Sequence, residues 1–189
     1  MNYLELLPKP APDTVNVGLR SPRLATLRAI LGEPRESYTG ECQPITNSAL
    51  SARVKTRDFG SFKATGVDTA LDSLQHILDD VKRELPDLHA MLGTAGMTCA
   101  RKVKLRQRNG SIKLGRNPSN HSWGLAIDLK LNGALDRQGD DKCYRGLLVL
   151  SRYFNAAGWY WGVSFPTEDA MHFEVSESLL RSWRKDAII

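Results

Sequence analysis

The sequence predicts an α+β fold: a small antiparallel sheet with helices packed on one side, in a single domain. Predicted helices and strands are mixed along the chain, and Asn132-Gly133 supplies a hairpin turn signal directly after an alternating strand pattern. The chain has 189 residues, of which 41% are hydrophobic. It is therefore long enough to bury one core and too apolar to be disordered.

Residues 1–66 are predicted to form an N-terminal arm, a short helix and a loop-rich segment, which pack on a core formed by residues 67–189. Four prolines in the first 22 residues favour an extended arm. The short helix follows, with Ser21 as its N-cap and Gly32 at its end. Two short strands are predicted within the loop-rich segment, at 52–56 and 60–65.

The core is predicted to begin with the clearest helix of the chain, over residues 67–85. Its apolar residues recur at three- and four-residue steps, with Asp and Lys between them, which is typical of a helix that packs one face on a core. Pro86 starts a further short helix. The remaining predicted elements are strands at 97–103, 122–131, 159–161 and 171–175 and helices at 144–157 and 176–185.

Composition argues against several classes of protein and of site. No apolar run approaches the roughly 18 residues that a membrane span needs. The N-terminus lacks the basic start and the long apolar stretch of a secretory signal. The three cysteines include no C-x-x-C pair, which argues against a disulfide framework and against a cysteine-rich zinc site.

The net charge of +5 is unevenly distributed. Residues 101–116 contain seven basic residues and no acidic one. This basic segment is either a solvated loop or strand edge, or a surface that binds a polyanion such as an anionic wall polymer or nucleic acid. It contains no aromatic residue that could stack on a base, so nucleic acid is the least favoured of these partners.

Two motifs, SNHSWGLAIDL and EDAMHFEV, hold half of the chain's four histidines, His121 and His172. In the strand pattern of the first motif, Asp128 shares its face with small residues, which leave space for a ligand above that face. His121 precedes Asp128 by seven residues, an odd separation that places the two on opposite faces of a regular strand. Both can reach one ion only if the chain bends near Gly124.

Two interpretations of these motifs fit the residues. In the first, the histidines are buried, hydrogen-bonded imidazoles without a metal. In the second, His121, Asp128 and His172 bind zinc, since two imidazoles and a carboxylate with water in the fourth place form a typical catalytic zinc site. A hydrolase of this kind also needs a carboxylate that accepts the proton of the water and a cation that stabilises the oxyanion. The candidates are Glu168 and Asp169 for the base and Arg101 for the cation.

The two motifs together closely resemble the S-x-H-x-x-G-x-A-x-D … (D/E)-x-x-H signature of the zinc D-alanyl-D-alanine carboxypeptidase family. That family includes vancomycin-resistance carboxypeptidases and dipeptidases and phage L-alanyl-D-glutamate endolysins. The resemblance implies the hedgehog/D-Ala-D-Ala-peptidase-like fold. It also implies that the zinc ligands are His121, Asp128 and His172. Asp169 is implied as the catalytic base, and Arg101 as the residue that steadies the scissile carbonyl.

The chain departs from the family pattern at three places. Family members often carry Glu where this chain has Asp169, and Trp where it has Met171. The family arginine usually follows Gly-Tyr, whereas Arg101 follows Cys99-Ala100. Some phage members use Asp as the base. Two weaker candidates for substrate contact are Ser119 and Glu168.

The activity implied by the resemblance is zinc-dependent hydrolysis of an amide bond in the peptide stem or cross-link of bacterial peptidoglycan. The bond type is that of a D,D-carboxypeptidase or D,D-endopeptidase, or that of an L-alanyl-D-glutamate endopeptidase. The alternative is a catalytically idle, zinc-containing module of the same fold that binds the cell wall. In both cases the protein acts on the wall, in the periplasm or outside the cell. Since no secretory signal is visible, phage lysis or a dedicated secretion machine would deliver it.

Overall fold

The computed structural model describes residues 1–107 and 109–189 and has an α+β fold. Its helices are α1 (Leu24–Leu31), α2 (Ser48–Arg53), α3 (Asp68–Glu84), α4 (Pro86–Ala90), α5 (Arg145–Ala156) and α6 (Glu177–Lys185). Its strands are β1 (Leu6–Pro8), β2 (Val54–Asp58), β3 (Lys63–Val67), β4 (Leu92–Gly96), β5 (Lys102–Arg106), β6 (Ile112–Pro118), β7 (Ala126–Leu131), β8 (Ala134–Leu135), β9 (Lys142–Tyr144), β10 (Trp159–Trp161) and β11 (His172–Val175).

The central sheet has the strand order β10-β11-β7-β4, with β8 paired to β7, and every neighbouring pair is antiparallel. The predicted antiparallel sheet is therefore confirmed. The predicted hairpin turn is confirmed as well, because Asn132 and Gly133 have φ angles of 51° and 79°. Two consecutive positive φ angles are what a type I′ turn between β7 and β8 requires.

The hydrophobic core lies between the long helix and the central sheet. Leu71 and Leu74 of α3 are fully buried in the same apolar cluster as Ile127 of β7 and Phe173 of β11. Each such side chain contributes about 1.5–3 kcal/mol by leaving water. Side chains alternate along a strand, so Asp128 lies on the opposite face of β7 from Ile127. The core thus fixes one face of the sheet and leaves the other for a site.

The first 66 residues pack on the rest of the chain through strand pairing, apolar contacts and a disulfide. β1 pairs with β9, and Leu27 is fully buried in the common core. Cys42 and Cys99 form a disulfide, with their Cα atoms 5.0 Å apart, whereas Cys143 is free and buried. This bond corrects the expectation drawn from the cysteine count. Its partners are 57 residues apart in sequence, so only the fold brings them together.

The start of the first helix differs from the prediction. α1 begins at Leu24 with Arg23, rather than Ser21, at its N-cap. The backbone N–H of Arg23 donates a hydrogen bond to the carboxylate of Glu177, at the start of α6 (2.8 Å). A carboxylate of α6 thus accepts from the backbone N–H at the start of the helix, and no side chain provides the local cap that the sequence suggested.

The strand predicted at 97–103 is wrong. β4 ends at Gly96, whose φ angle is 130°, and β5 begins only at Lys102. Between these strands, the backbone N–H of Cys99 donates to the carbonyl oxygen of His121 (2.9 Å). The segment therefore hydrogen-bonds to the first motif and does not extend a sheet.

The two strands predicted at 52–56 and 60–65 are displaced along the chain. A short helix that was not predicted, α2, precedes them; its N-cap Asn47 accepts a hydrogen bond from the backbone N–H of Leu50 (3.1 Å). Because α2 occupies residues 48–53, the strands that follow become β2 and β3, which pair as an antiparallel hairpin.

The basic segment forms a β-hairpin. β5 and β6 pair in antiparallel fashion, with Leu105 opposite Lys113; Arg108 lies outside the described residues. Leu105, Ile112 and Leu114 are partly exposed beside the basic side chains. The prediction of a loop or strand edge is thereby refined to a two-stranded ribbon. Among the described residues, no helix is long and apolar enough to cross a membrane.

Candidate metal centre and cleft

The side chains of His121, Asp128 and His172 converge on one point. His121 Nε2 lies 3.2 Å from Asp128 Oδ1, His172 Nδ1 lies 3.1 Å from the same oxygen, and the two ring nitrogens are 3.2 Å apart. At zinc bond lengths of about 2.0–2.1 Å, neighbouring ligand atoms of a tetrahedron are about 3.3 Å apart. The three atoms therefore form one face of a tetrahedron of nearly the right size, and the three residues can hold a metal ion.

Neighbouring strands and a sharp bend bring the three side chains together. His172 of β11 is the direct partner of Asp128 on β7, so their side chains share one face of the sheet. His121 comes from a 3₁₀ turn, Asn120–Trp123, that ends at Gly124 with a φ angle of 65°. A Cβ atom on Gly124 would lie 3.0 Å from the backbone nitrogen of Val67. Glycine therefore permits both the turn and the close approach, and the predicted bend is confirmed.

Each imidazole is oriented by an acceptor behind it. His121 Nδ1 lies 2.8 Å from the carbonyl oxygen of Met97, and His172 Nε2 lies 2.9 Å from Glu174 Oε2. With a metal at the convergence point, these outward-facing nitrogens would carry the protons and donate to the oxygens behind them, which can only accept. The lone pairs of His121 Nε2 and His172 Nδ1 are then directed at the convergence point, as in histidine ligands that outer partners hold in place.

The electrostatics of the cluster favour a cation. Burial alone would raise the pKa of Asp128, but the imidazoles of His121 and His172 hold it well below its usual range. Burial would lower the pKa of His172, yet hydrogen bonds to Asp128 and Glu174 raise it well above its ordinary value. The two carboxylates thus favour a positive charge between them, which either a proton on His172 or a metal ion can supply.

Asp169 lies in the same cleft as the three converging side chains, with one oxygen available. Its Oδ2 accepts a hydrogen bond from Gln138 Nε2 (3.0 Å). Its Oδ1 is buried and accepts no hydrogen bond from any described part of the chain. Burial raises the pKa of Asp169 to about 6, while the charges of His172 and Arg101 limit the rise. The carboxylate is therefore ionised at neutral pH, with a free oxygen that can accept a proton.

Arg101 lines the same cleft. Its Nη1 donates to the carbonyl oxygen of Lys102, the first residue of β5 (3.1 Å). Its backbone N–H donates to Ser122 Oγ (3.2 Å), and its carbonyl accepts from the backbone N–H of Ser119 (2.9 Å). The segment that carries Arg101 is thus tied to the 3₁₀ turn that carries His121. Ser119, which contributes one of these hydrogen bonds, also lines the cleft.

Glu168 lies beneath the loop between β8 and β9. It is 1% exposed, and its Oε2 accepts from the backbone N–H groups of Gly139, Asp140 and Asp141 at 3.1–3.2 Å. Its Oε1 accepts from the backbone N–H of Ala170 (2.9 Å). Burial raises the pKa of Glu168 to about 7, and these hydrogen bonds oppose the rise. This placement favours loop support over substrate contact.

The cleft above the cluster has a volume of about 510 Å³. The cleft is lined by the three converging residues and Asp169, by Phe165, Pro166 and Thr167, and by residues of the β5–β6 hairpin. Three basic residues of the hairpin segment therefore line the cleft, namely Arg101, Lys104 and Arg106.

Three contact residues of the site were missed by the sequence analysis: Asn120, Gln138 and Glu174. Glu174 shares the strand face of His172, two residues away, so the period of the strand could have assigned it a role. Asn120 Nδ2 donates to Glu174 Oε2 (2.7 Å) across 54 residues of sequence. No local pattern connects Asn120 with Glu174, or Gln138 with Asp169.

Comparison with known proteins gives one family match. The family model for D-alanyl-D-alanine carboxypeptidase matches residues 114–175. The matched region contains the three converging residues and Asp169. It supports this peptidase family, and hence a hydrolase that acts on peptide bonds. No curated protein and no solved structure shows a significant match.

Proposed function

We propose that the protein is a zinc-dependent peptidase that hydrolyses an amide bond in the peptide stem or cross-link of bacterial peptidoglycan. The proposal is carried by the free oxygen of Asp169 beside the face of ligand atoms from His121, Asp128 and His172, in one cleft. The family match over residues 114–175 supports the reaction class.

The donor set suits zinc. Two imidazole nitrogens and one carboxylate oxygen are ligands that zinc prefers at catalytic sites. Both imidazoles have an outer hydrogen-bond acceptor, and the ligand atoms lie 3.1–3.2 Å from one another without rearrangement. Zinc held there would supply a Lewis acid for the scissile carbonyl and a water of lowered pKa.

Two residues of the chain have separate roles: Asp169 transfers the proton, and Arg101 stabilises the developing charge. Asp169 Oδ1 accepts the proton of the attacking water and returns it to the leaving amine. Arg101 donates hydrogen bonds to the oxygen that becomes negative as the carbonyl is attacked. Loss of one such donor typically costs about 2.7–4 kcal/mol at the barrier.

The basic wall of the cleft fits an anionic substrate. Peptidoglycan stems carry free carboxylates, and Lys104 and Arg106 line the cleft on the hairpin side. The bond cleaved is of the D,D-carboxypeptidase or D,D-endopeptidase type, or of the L-alanyl-D-glutamate type, on a hedgehog/D-Ala-D-Ala-peptidase-like fold. The outer side chains of the hairpin, such as Lys113 and Arg116, would contact an anionic wall polymer. The site of action is the cell wall, in the periplasm or outside the cell.

Digestion of purified sacculi tests this function. The zinc-loaded protein should release peptides or single amino acids, a chelator should stop the release, and added zinc should restore it. Mass analysis of the products identifies the bond that is cut. If the protein binds sacculi but releases nothing, the alternative applies, namely an idle zinc-containing wall-binding module of the same fold. If it neither binds nor cleaves sacculi, both proposals fail.

A further inference from the structure

The carboxylate of Asp169 is held by one side chain, Gln138. The amide Nε2 of Gln138 donates to Asp169 Oδ2 (3.0 Å), and Oδ1 has no partner among residues 1–107 and 109–189. Gln138 also lines the cleft that contains the convergence point. A carboxylate side chain rotates broadly about its last torsion. A donor on one oxygen therefore fixes the direction in which the other oxygen points.

Gln138 lies on a loop that hydrogen bonds to Glu168 hold in position. The backbone N–H groups of Gly139, Asp140 and Asp141 all donate to Glu168 Oε2, and the N–H of Gly139 also donates to the carbonyl oxygen of Glu168 (2.9 Å). Consecutive backbone N–H groups around one anion form a nest, which defines the path of the chain. Gly139 adopts a φ angle of 79° there.

Two neighbouring residues, Glu168 and Asp169, make the contacts with this loop. Glu168 directly precedes Asp169, so the residue that fixes the loop and the residue that the loop contacts are neighbours. Glu168 binds the loop, and Gln138 of the loop binds Asp169. These hydrogen bonds form a closed ring with the backbone at 168–169. This ring restricts both the position of the loop and the rotation of the Asp169 carboxylate.

We propose that Gln138 is a positioning residue that holds Asp169 so that Oδ1 faces the reacting water. This inference rests on the proposed function, because it assigns Gln138 to the base of that reaction. An uncharged donor suits the role, since it orients the carboxylate without adding a charge beside it. Asp is one methylene shorter than Glu and has less freedom to reach its target, so its orientation matters more.

The test compares two variants that remove the donor with a matched control. Gln138→Met keeps the length of the side chain and removes the N–H groups, and Gln138→Glu replaces the donor by an acceptor. The control is Gln75→Met, because Gln75 donates to Asp79 in the same way (2.9 Å) on the exposed side of α3. Turnover of one soluble muropeptide, zinc content and the unfolding midpoint are measured for each protein.

Loss of orientation should appear in kcat alone. For Gln138→Met we expect kcat to fall about 10- to 100-fold, since a misplacement of about 1 Å can cost a hundredfold. KM, zinc content and the unfolding midpoint should remain within error of the parent. Gln138→Glu should lose at least as much, because two carboxylates then repel each other. Gln75→Met should match the parent. Full kcat in both Gln138 variants would overturn the proposal.

Two further measurements separate the outcomes. In the Asp169→Asn background, Gln138→Met should cause no additional loss, because a positioning residue acts only through the group that it positions. If the parent itself proves inactive on peptidoglycan, the proposed function fails. The role of Gln138 is then decided by crystal structures of the parent and Gln138→Met, in which the Asp169 carboxylate should rotate. An unchanged Asp169 conformation would refute the positioning role independently of activity.

Discussion

Replacement of Glu174 by Gln should weaken zinc binding about tenfold and leave the fold intact. Glu174 is 1% exposed, and its Oε2 accepts hydrogen bonds from His172 Nε2 (2.9 Å) and Asn120 Nδ2 (2.7 Å). This charged acceptor keeps the proton of His172 on Nε2 and makes Nδ1 a stronger ligand. Gln offers an oxygen of similar size, so the ring is still oriented while the charge is lost.

The size of the effect follows from the type of hydrogen bond. A hydrogen bond to a charged group contributes about 1.5–3 kcal/mol, and one between neutral groups about 0.5–1.5 kcal/mol. The difference of about 1–1.5 kcal/mol corresponds to about 5- to 13-fold in zinc affinity. Glu174 Oε1 accepts no hydrogen bond from the described residues, so the substitution removes no further acceptor contact there.

Competition with a chromophoric chelator measures the zinc affinity of the parent, Glu174→Gln and the control Glu177→Gln. Glu177 is a suitable control because it also accepts hydrogen bonds, from Arg23 and Thr26, at the start of α6. The unfolding midpoints of the zinc-free proteins show whether each variant folds. Equal zinc affinity of Glu174→Gln and the parent would refute the role assigned to Glu174.

Two other perturbations test the charges of the molecule. Lys113→Ala with Arg116→Ala should weaken binding to sacculi at low salt and leave turnover of a small neutral peptide unchanged, since exposed charges are screened beyond about 10 Å at 0.1 M salt; equal losses on both substrates would place these residues in the catalytic machinery. Burial raises the pKa of Asp136 from 3.8 to about 6, so its contribution to stability is present below its unfolded pKa and is lost as the pH rises through about 6. Thermal unfolding in chelator between pH 4 and 7 should therefore show a steeper loss of stability for the parent than for Asp136→Asn, and parallel curves would contradict the raised pKa.

Local patterns in the sequence predicted the centre of the fold, and the resemblance of the two motifs to a known family singled out the three residues that converge there. The alternation in β7 and β11 sets which residues share a face, so Asp128 and His172 follow from the strand period. The turn at Asn132-Gly133 depends on backbone conformations that few residues adopt. The bend at Gly124 was predicted because His121 and Asp128 are an odd number of residues apart, and the φ angle of 65° confirms it.

Features that depend on distant contacts escaped prediction. The segment after Gly96 contains residues typical of a strand. It instead forms hydrogen bonds to the first motif, and its Cys99 forms a disulfide with Cys42. The contact between Gln138 and Asp169 joins two loops 31 residues apart. Loop residues of this kind carry no periodicity, so their position is defined only by the assembled fold.

The most direct measurement of the proposed chemistry is the turnover of one defined muropeptide by Asp169→Asn, with zinc content determined on the same sample. His172→Ala, which removes a ligand, serves as the metal-depleted control. Asp169→Asn should retain zinc and the parent's unfolding midpoint and lose at least about two orders of magnitude in rate, because a general base typically contributes about 10²- to 10⁴-fold. His172→Ala should lose most of its zinc together with its activity. An Asp169→Asn protein that cleaves the muropeptide at the parent's rate would contradict the assignment of Asp169 as the base, and full zinc occupancy in His172→Ala would remove that residue from the ligands.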